Sequence, residues 1–199
     1  FKFLFHLLVF WAFYFSNPLH ANTQEVYVFN SPKGLLGSTV NLEVGYITDN
    51  LNNNLSGIGF RLHFDSSLLT FIQVENTLIN NLIANAGGPF PDDSNYDNDE
   101  NTDSYVTFGW ASVSANWPNK ALPTKLFDAI FVVSSSVDTS ENPSTNINFT
   151  STSSSVGYDF QSQSFQMELT KASWDFDGNG HADALTDGLL LLRHGFGLT

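Results

Sequence analysis

Ile58, Phe60, Leu62 and Phe64 occupy every second position of one stretch, with Gly59, Arg61 and His63 between them. A period of two puts such apolar side chains on one face of an extended strand, whereas a helix repeats its faces about every 3.6 residues. Residues 40–46 alternate likewise, and 26–29, 69–74, 105–110, 126–133 and 165–169 continue the series. Clusters of Gly, Pro, Asn, Asp and Ser part them, as in 30–34 and 49–54. Short strands divided by turn residues predict an all-β fold, a sandwich or barrel. Residues 134–155 are rich in Ser, Thr and Asn, but Ile147 and Phe149 alternate with polar neighbours, which predicts a polar edge strand of the same domain. Helical periodicity is weak in 78–86 and clear only after Asp183. Nothing recurs at a period of about 20–50 residues, which excludes solenoids and propellers.

Ahead of this region, Lys2 precedes an uncharged run at 3–15 interrupted only by His6; Asn17 and Pro18 break it, and Ala21 is small enough for cleavage. A basic tip, a short apolar centre and a small-residue exit predict a secretory signal peptide at residues 1–21. The run is too short to anchor comfortably in a bilayer, which takes about 20 apolar residues. The expected location is therefore secreted, extracellular or on a bacterial cell surface, with no membrane insertion after signal cleavage. The remaining length suits one domain plus an appendage, and the absence of cysteine fits bacterial export better than an animal extracellular module. A net charge of −13 with seven scattered basic residues excludes nucleic acid and anionic membrane surfaces, whose phosphates require clustered Lys and Arg.

The acid is concentrated in two places, 92–103 and 175–187. In the second, Asp175, Asp177 and Asn179 alternate, Gly180 takes the sixth position, and Asp183 and Asp187 follow. Calcium wants six to eight hard oxygen ligands at about 2.3–2.6 Å, and a short loop converges on it by turning sharply at a glycine. The expected ligands are side-chain oxygens of Asp175, Asp177, Asn179 and Asp183 and the main-chain carbonyl of His181, with Asp187 as a further candidate. The bland alternative is a polar turn before a helix. That helix, around 184–194, carries Leu185 and Leu189 to Leu192. So much leucine needs a partner surface. Thr186 or Asp187 is placed to cap its first turn, and Arg193 suits its C-terminus.

Several stretches together resemble the cohesin modules of bacterial extracellular polysaccharide-degrading assemblies. They are 37–44, 55–71, 106–111 and 126–133, and the strand ending in Phe64-Asp65-Ser66-Ser67-Leu68-Leu69 is the most specific. The segment 172–199 resembles one loop-helix of a dockerin, the module that cohesins bind, and would be one half of a repeat pair. The resemblance implies a nine-stranded jelly-roll β-sandwich at 22–171, akin to some carbohydrate-binding modules. Its work would be calcium-dependent, non-catalytic docking to a dockerin- or cohesin-like partner on a sheet face, linked to polysaccharide. A dockerin loop closes on an acid at its twelfth position, whereas here Thr186 is twelfth and Asp187 follows. Either the loop bulges by one residue or Asp183 closes it.

Other candidates are weaker. Asp97, Asp99, Asn101 and Asp103 also alternate, but without the glycine, and flanking Gly87-Gly88-Pro89 and Pro91 suggest a long loop. A solvated acidic loop is the first expectation there and a second calcium site the other. His63 is expected at a core or edge position. Trp117, next to Pro118, is expected in a loop where it could stack on a sugar, the feature a carbohydrate-binding module would need. No nucleophile elbow, zinc-protease motif or phosphate loop is present. A glycosidase needs two carboxylates about 5–9.5 Å apart, and Glu43 facing Glu168 is a pair the sequence leaves open. The expectation is a protein that is not an enzyme.

Overall fold

The computed structural model describes residues 21–78, 83–137, 143–171 and 185–197. Its strands are β1 (Asn22–Val28), β2 (Gly34–Leu35), β3 (Thr39–Thr48), β4 (Asn54–Leu55), β5 (Gly57–Phe64), β6 (Leu69–Glu75), β7 (Ile83–Pro91), β8 (Ser104–Ala111), β9 (Trp117–Pro118), β10 (Thr124–Val133), β11 (Ser144–Ser153), β12 (Tyr158–Ser162) and β13 (Phe165–Thr170), followed by helix α1 (Thr186–Gly195). One sheet runs β12-β1-β3-β10-β6, the other β2-β13-β11-β5-β8-β7, and β4 pairs with β9 in a small ribbon. Because β3→β5, β5→β6, β6→β7, β8→β10 and β10→β11 all change sheets, the chain wraps the sandwich as a jelly roll. The last strand of the implied nine is divided. Its β12 half pairs with β1, and after Gln163 and Ser164 its β13 half pairs with β11 on the other sheet.

Alternation decides what each strand buries. β5 turns Ile58, Phe60, Leu62 and Phe64 inward, and β8 turns in Val106, Phe108 and Trp110. From the opposing sheet, β10 inserts Phe127, whose ring lies 4.1 Å from Phe108, 6.1 Å from Trp110 and 6.2 Å from Phe60. Interplanar angles of 16–22° make these offset stacks, which contribute beyond their buried area.

A buried polar clamp closes one end. Gln24 of β1 donates to the Tyr46 hydroxyl at 2.8 Å and to the Gly57 carbonyl at 3.1 Å. Its own carbonyl oxygen accepts from the Ser155 amide at 2.7 Å, and the Ser155 hydroxyl donates to Gly57 O at 2.8 Å. Four segments from both sheets are thereby fixed by bonds that water cannot reach. Gly57 sits at φ +130°, and a Cβ there would come within 2.0 Å of the Trp110 carbonyl oxygen. Only glycine fits.

Several expectations change. The polar strand predicted at the edge is β11, which lies inside its sheet between β13 and β5; its outward Asn146, Asn148 and Thr150 are polar because another segment covers them. Residues 83–91, read as weakly helical and then as loop, form the strand β7, with a bulge between Gly87 and Phe90 that accommodates Pro89 at the sheet edge. Helix α1 is preceded by Leu185, which makes no side-chain cap; Thr186 and Asp187 stand inside the first turn, while Arg193 and His194 occupy the last turn as expected. Glu43 and Glu168 lie on different sheets, and Glu168 pairs with Lys33 at 2.7 Å, so the two do not form a carboxylate pair.

Phe127→Ala should cost about 3–5 kcal/mol and Gly57→Ala about 1–3 kcal/mol, both read as a lowered denaturation midpoint. Asp128, buried on β10, accepts from Asn76 at 2.5 Å and from Lys125 at 2.9 and 3.0 Å. Burial pushes its pKa up, but these bonds and the Lys125 charge outweigh it and hold the carboxyl below the ordinary aspartate value. A depressed folded pKa stabilises above the unfolded value, near 4, and that contribution is lost as pH falls through the folded value. Asp128→Asn should therefore cost about 1–2 kcal/mol at pH 7, and the wild-type and variant melting temperatures should converge as pH is lowered below about 4.

Candidate functional site

The residues between the inward side chains of β5, β8 and β11 form the outer face of the six-stranded sheet. At its centre Gly59 and Gly109 are direct cross-strand partners. A Cβ at Gly109 would meet nothing within 4 Å, whereas one at Gly59 would run into the hydroxyls of Thr152 and Ser153. The missing side chain of Gly109 leaves open an exposed trough of ≈ 410 Å³ along Gly59, Thr107, Gly109, Ala111, Thr152 and Ser153. None of the residues that line it is charged.

The other end of the same face is covered. Residues 92–103 fold back over it, tied at their base by the Asp92 amide to the Asp103 carbonyl at 2.7 Å. Asp103 also accepts from the Ser66 amide and hydroxyl at 2.8 and 2.7 Å, so the loop grips the β5–β6 turn. Asn95 and Asn98 take the positive φ values of 48° and 59° that asparagine tolerates. From the sheet, Asn146 donates to Asp99 at 2.8 Å, and Asn148 donates to Asp97 at 2.9 Å and to Asp99 at 3.2 Å. The Asn146 bond is the chief reason that the Asp99 carboxyl is held below the ordinary aspartate value. The Arg61 guanidinium lies 3.9 Å from the Tyr96 ring centre, a cation–π contact that pins the loop at the border of the trough.

Beneath the loop is His63, whose side chain is 0% exposed. Its Nε2 is 2.7 Å from the Thr150 hydroxyl. Its Nδ1 is 2.9 Å from Asp92 Oδ2 and 4.0 Å from Asp97 Oδ2, yet neither oxygen lies where a ring N–H would point, and the nitrogen makes no hydrogen bond. The Asp92 and Asp97 side chains are 0% and 2% exposed. Burial lowers the His63 pKa below the ordinary histidine value, against the opposing pull of Asp97 and Asp92, and so favours a neutral ring. Among the described residues no Lys or Arg forms an ion pair with Asp92, Asp97 or Asp99.

Of the expected calcium ligands, Asp175, Asp177, Asn179, His181 and Asp183 lie outside the described residues, and Asp187 is placed in the first turn of α1. The acidic loop is no merely solvated connection, since its Asp92 and Asp97 are buried. His63 is buried as expected, but beneath a polar lid on the outward side of its strand. The signal for this was present: alternation places His63 on the same side as Gly59 and Arg61. Trp117 is 0% exposed, packed 4.7 Å from Tyr46, and cannot stack on a sugar. Asparagine spacing on β11 has no motif to announce it, and Asn146 and Asn148 escape a search by sequence.

No family model matches the chain, and no curated protein matches it. Solved structures do. The third cohesin of ScaC from Acetivibrio cellulolyticus, in complex with the ScaB dockerin, aligns with a TM-score of 0.52 at 15% identity over 74% of this chain and 99% of that one. The OlpA cohesin of Clostridium thermocellum, in a type I cohesin–dockerin complex, gives 0.53 at 13% over 74% and 99%. A cohesin module from a family 33 glycoside hydrolase of Clostridium perfringens gives 0.50 at 10% over 76% and 98%. The sandwich therefore has the cohesin fold.

Asn148→Leu removes the donor held between two carboxylates. It should cost about 1–3 kcal/mol and speed amide exchange across 92–103, while β1, β3 and β10 keep their protection.

Proposed function

We propose that this chain is an exported docking module with no chemistry of its own, whose sandwich receives the loop-helix of a dockerin-type partner on the open outer face of the six-stranded sheet. The observation that carries this is the trough. Open space over Gly109, flanked by the small residues Thr107, Ala111, Thr152 and Ser153, would let a helix approach the sheet closely. Complexes of dockerins with cohesins of the same fold support the same use here.

The chain's own segment 172–199 we read as a loop-helix of the dockerin kind. Ca²⁺ would be held by Asp175, Asp177, Asn179 and Asp183, the His181 carbonyl and Asp187, with an affinity of about 10⁻⁴ to 10⁻³ M as in other extracellular modules. Leu185, Leu189, Leu191 and Leu192 are exposed on or beside α1, an apolar surface suited to a partner. Such a chain would link one sandwich to another in an assembly acting on extracellular polysaccharide.

One observation favours a second reading, direct glycan binding. On the other sheet Tyr27 and Phe29 lie 22° from parallel with ring centres 6.0 Å apart, above Gly45, whose Cβ would strike both rings. A near-flat pair of rings is a platform on which a sugar can stack.

Titration against two-repeat dockerin modules in calcium should give binding that Gly109→Arg abolishes without lowering the melting temperature, because that Cβ enters open space. A variant that binds as wild type does would remove the trough from consideration. Retention on insoluble polysaccharide, lost in Tyr27→Ala/Phe29→Ala, would favour the glycan reading. Chelation should expose 172–199 to protease while the sandwich stays intact; identical digests with and without chelator would refute the calcium assignment.

A further inference from the structure

We propose that His63, Asp92 and Asp97 form a buried divalent-cation site between the 92–103 loop and the outer face of the six-stranded sheet, and that its imidazole ligand selects a transition-series ion such as Zn²⁺ over Ca²⁺. It is separate from the segment 172–199 and does not depend on whether the trough binds a dockerin.

Two aspartates from the loop and one histidine from β5 present Nδ1 and two carboxylate oxygens within 4.8 Å of one another. Tetrahedral ligands held 2.0–2.2 Å from a shared Zn²⁺ stand about 3.3–3.6 Å apart. The spacings of 2.9 and 4.0 Å from Nδ1 lie on either side of that value, so small side-chain shifts would bring both oxygens onto one ion. Buried carboxylates without a basic partner are costly, and here the nearest ring nitrogen gives neither of them a hydrogen bond. That nitrogen is the second, independent sign of a ligand. In the tautomer that donates Nε2–H to Thr150, the Nδ1 lone pair faces two carboxylates, an arrangement that repels unless a cation lies between them. Thr150 then does what the outer partner of a metal-bound histidine does, fixing the tautomer and the ring plane.

The Asn95 side-chain oxygen is buried and unbonded, and Asn95, Asp92, Asp99 and Thr102 line a cavity of ≈ 190 Å³ in the same loop. Calcium would want six to eight oxygens, whereas one imidazole with two carboxylates suits zinc. The ion would cross-link loop and sheet and hold Tyr96 and Arg61 at the border of the trough.

The test uses the whole secreted chain, stripped with chelator and desalted, then titrated separately with Zn²⁺, Mn²⁺ and Ca²⁺ by calorimetry and assayed by elemental analysis. One equivalent of Zn²⁺ should bind through this site and raise the melting temperature by several degrees. Asp97→Asn, nearly isosteric, and His63→Ala should each lose that equivalent, with folding checked by circular dichroism. Asp175→Ala/Asp177→Ala should keep it, which separates this site from the C-terminal one. A ¹⁵N shift of His63 Nδ1 on adding Zn²⁺ would report ligation directly. No uptake, uptake unchanged in Asp97→Asn and in a folded His63→Ala, or a site filled by Ca²⁺ in preference to Zn²⁺ would each overturn the assignment.

Discussion

Five aromatic rings, those of Phe108, Trp110, Phe127, Phe149 and Phe160, lie within 6.5 Å of Phe60. They come from both sheets, so this one residue of β5 joins the halves of the sandwich. Its orientation also settles what the neighbouring residues do. With Phe60 held inward, a strand of period two has no choice but to turn Gly59, Arg61 and His63 outward. A slip of one residue would bury an arginine and a histidine in that aromatic stack and expose four large apolar side chains. The cost of that slip is what makes the outer face dependable as a working surface.

That face has two parts. At the Gly59–Gly109 end it carries small residues, Thr107, Ala111, Thr152 and Ser153. At the His63 end it is hidden under six carboxylates in twelve residues, 92–103. Such a loop repels itself, and among the described residues no lysine or arginine forms an ion pair with its carboxylates. The offset comes from amide donors on β11, from the loop's own turns, and from the backbone and hydroxyl of Ser66. Each is a neutral dipole aimed at a negative oxygen. Dipoles can hold exposed carboxylates such as Asp103, but they are a weak remedy for Asp92 and Asp97, which water does not reach.

The β-sandwich was legible because its evidence is local: alternation along 58–64 and 105–110 needs no knowledge of the partner strand. What was illegible depends on pairing. β11 reads as an edge strand because its outward residues are polar, and only the fold reveals that Asn146 and Asn148 point into the acidic loop. β7 carries Gly87, Gly88 and Pro89, all poor strand residues, and is a strand because β8 supplies the other half of the ladder. Trp117 reads as a loop residue beside a proline, yet the short β4–β9 ribbon folds it under Tyr46. His63 is buried as expected, but its neighbours were illegible because they come from positions 29 to 87 residues away in sequence.

The two acidic stretches therefore differ in how their donors would be brought together. In 175–187 the candidate oxygens and the glycine fall within one short run of sequence, so ion binding there would be coupled to local folding. The 92–103 loop has no such glycine, and its chemistry is completed by His63 and Thr150, which the sandwich positions whether or not an ion is present. A preformed nitrogen ligand loses less freedom on binding than one recruited from a coil. It also imposes a preference that an all-oxygen loop lacks, because imidazole suits zinc while carboxylate, carbonyl and water suit calcium. Two acidic clusters of similar composition would thus differ in the cation they suit, the one with an imidazole beside it favouring zinc.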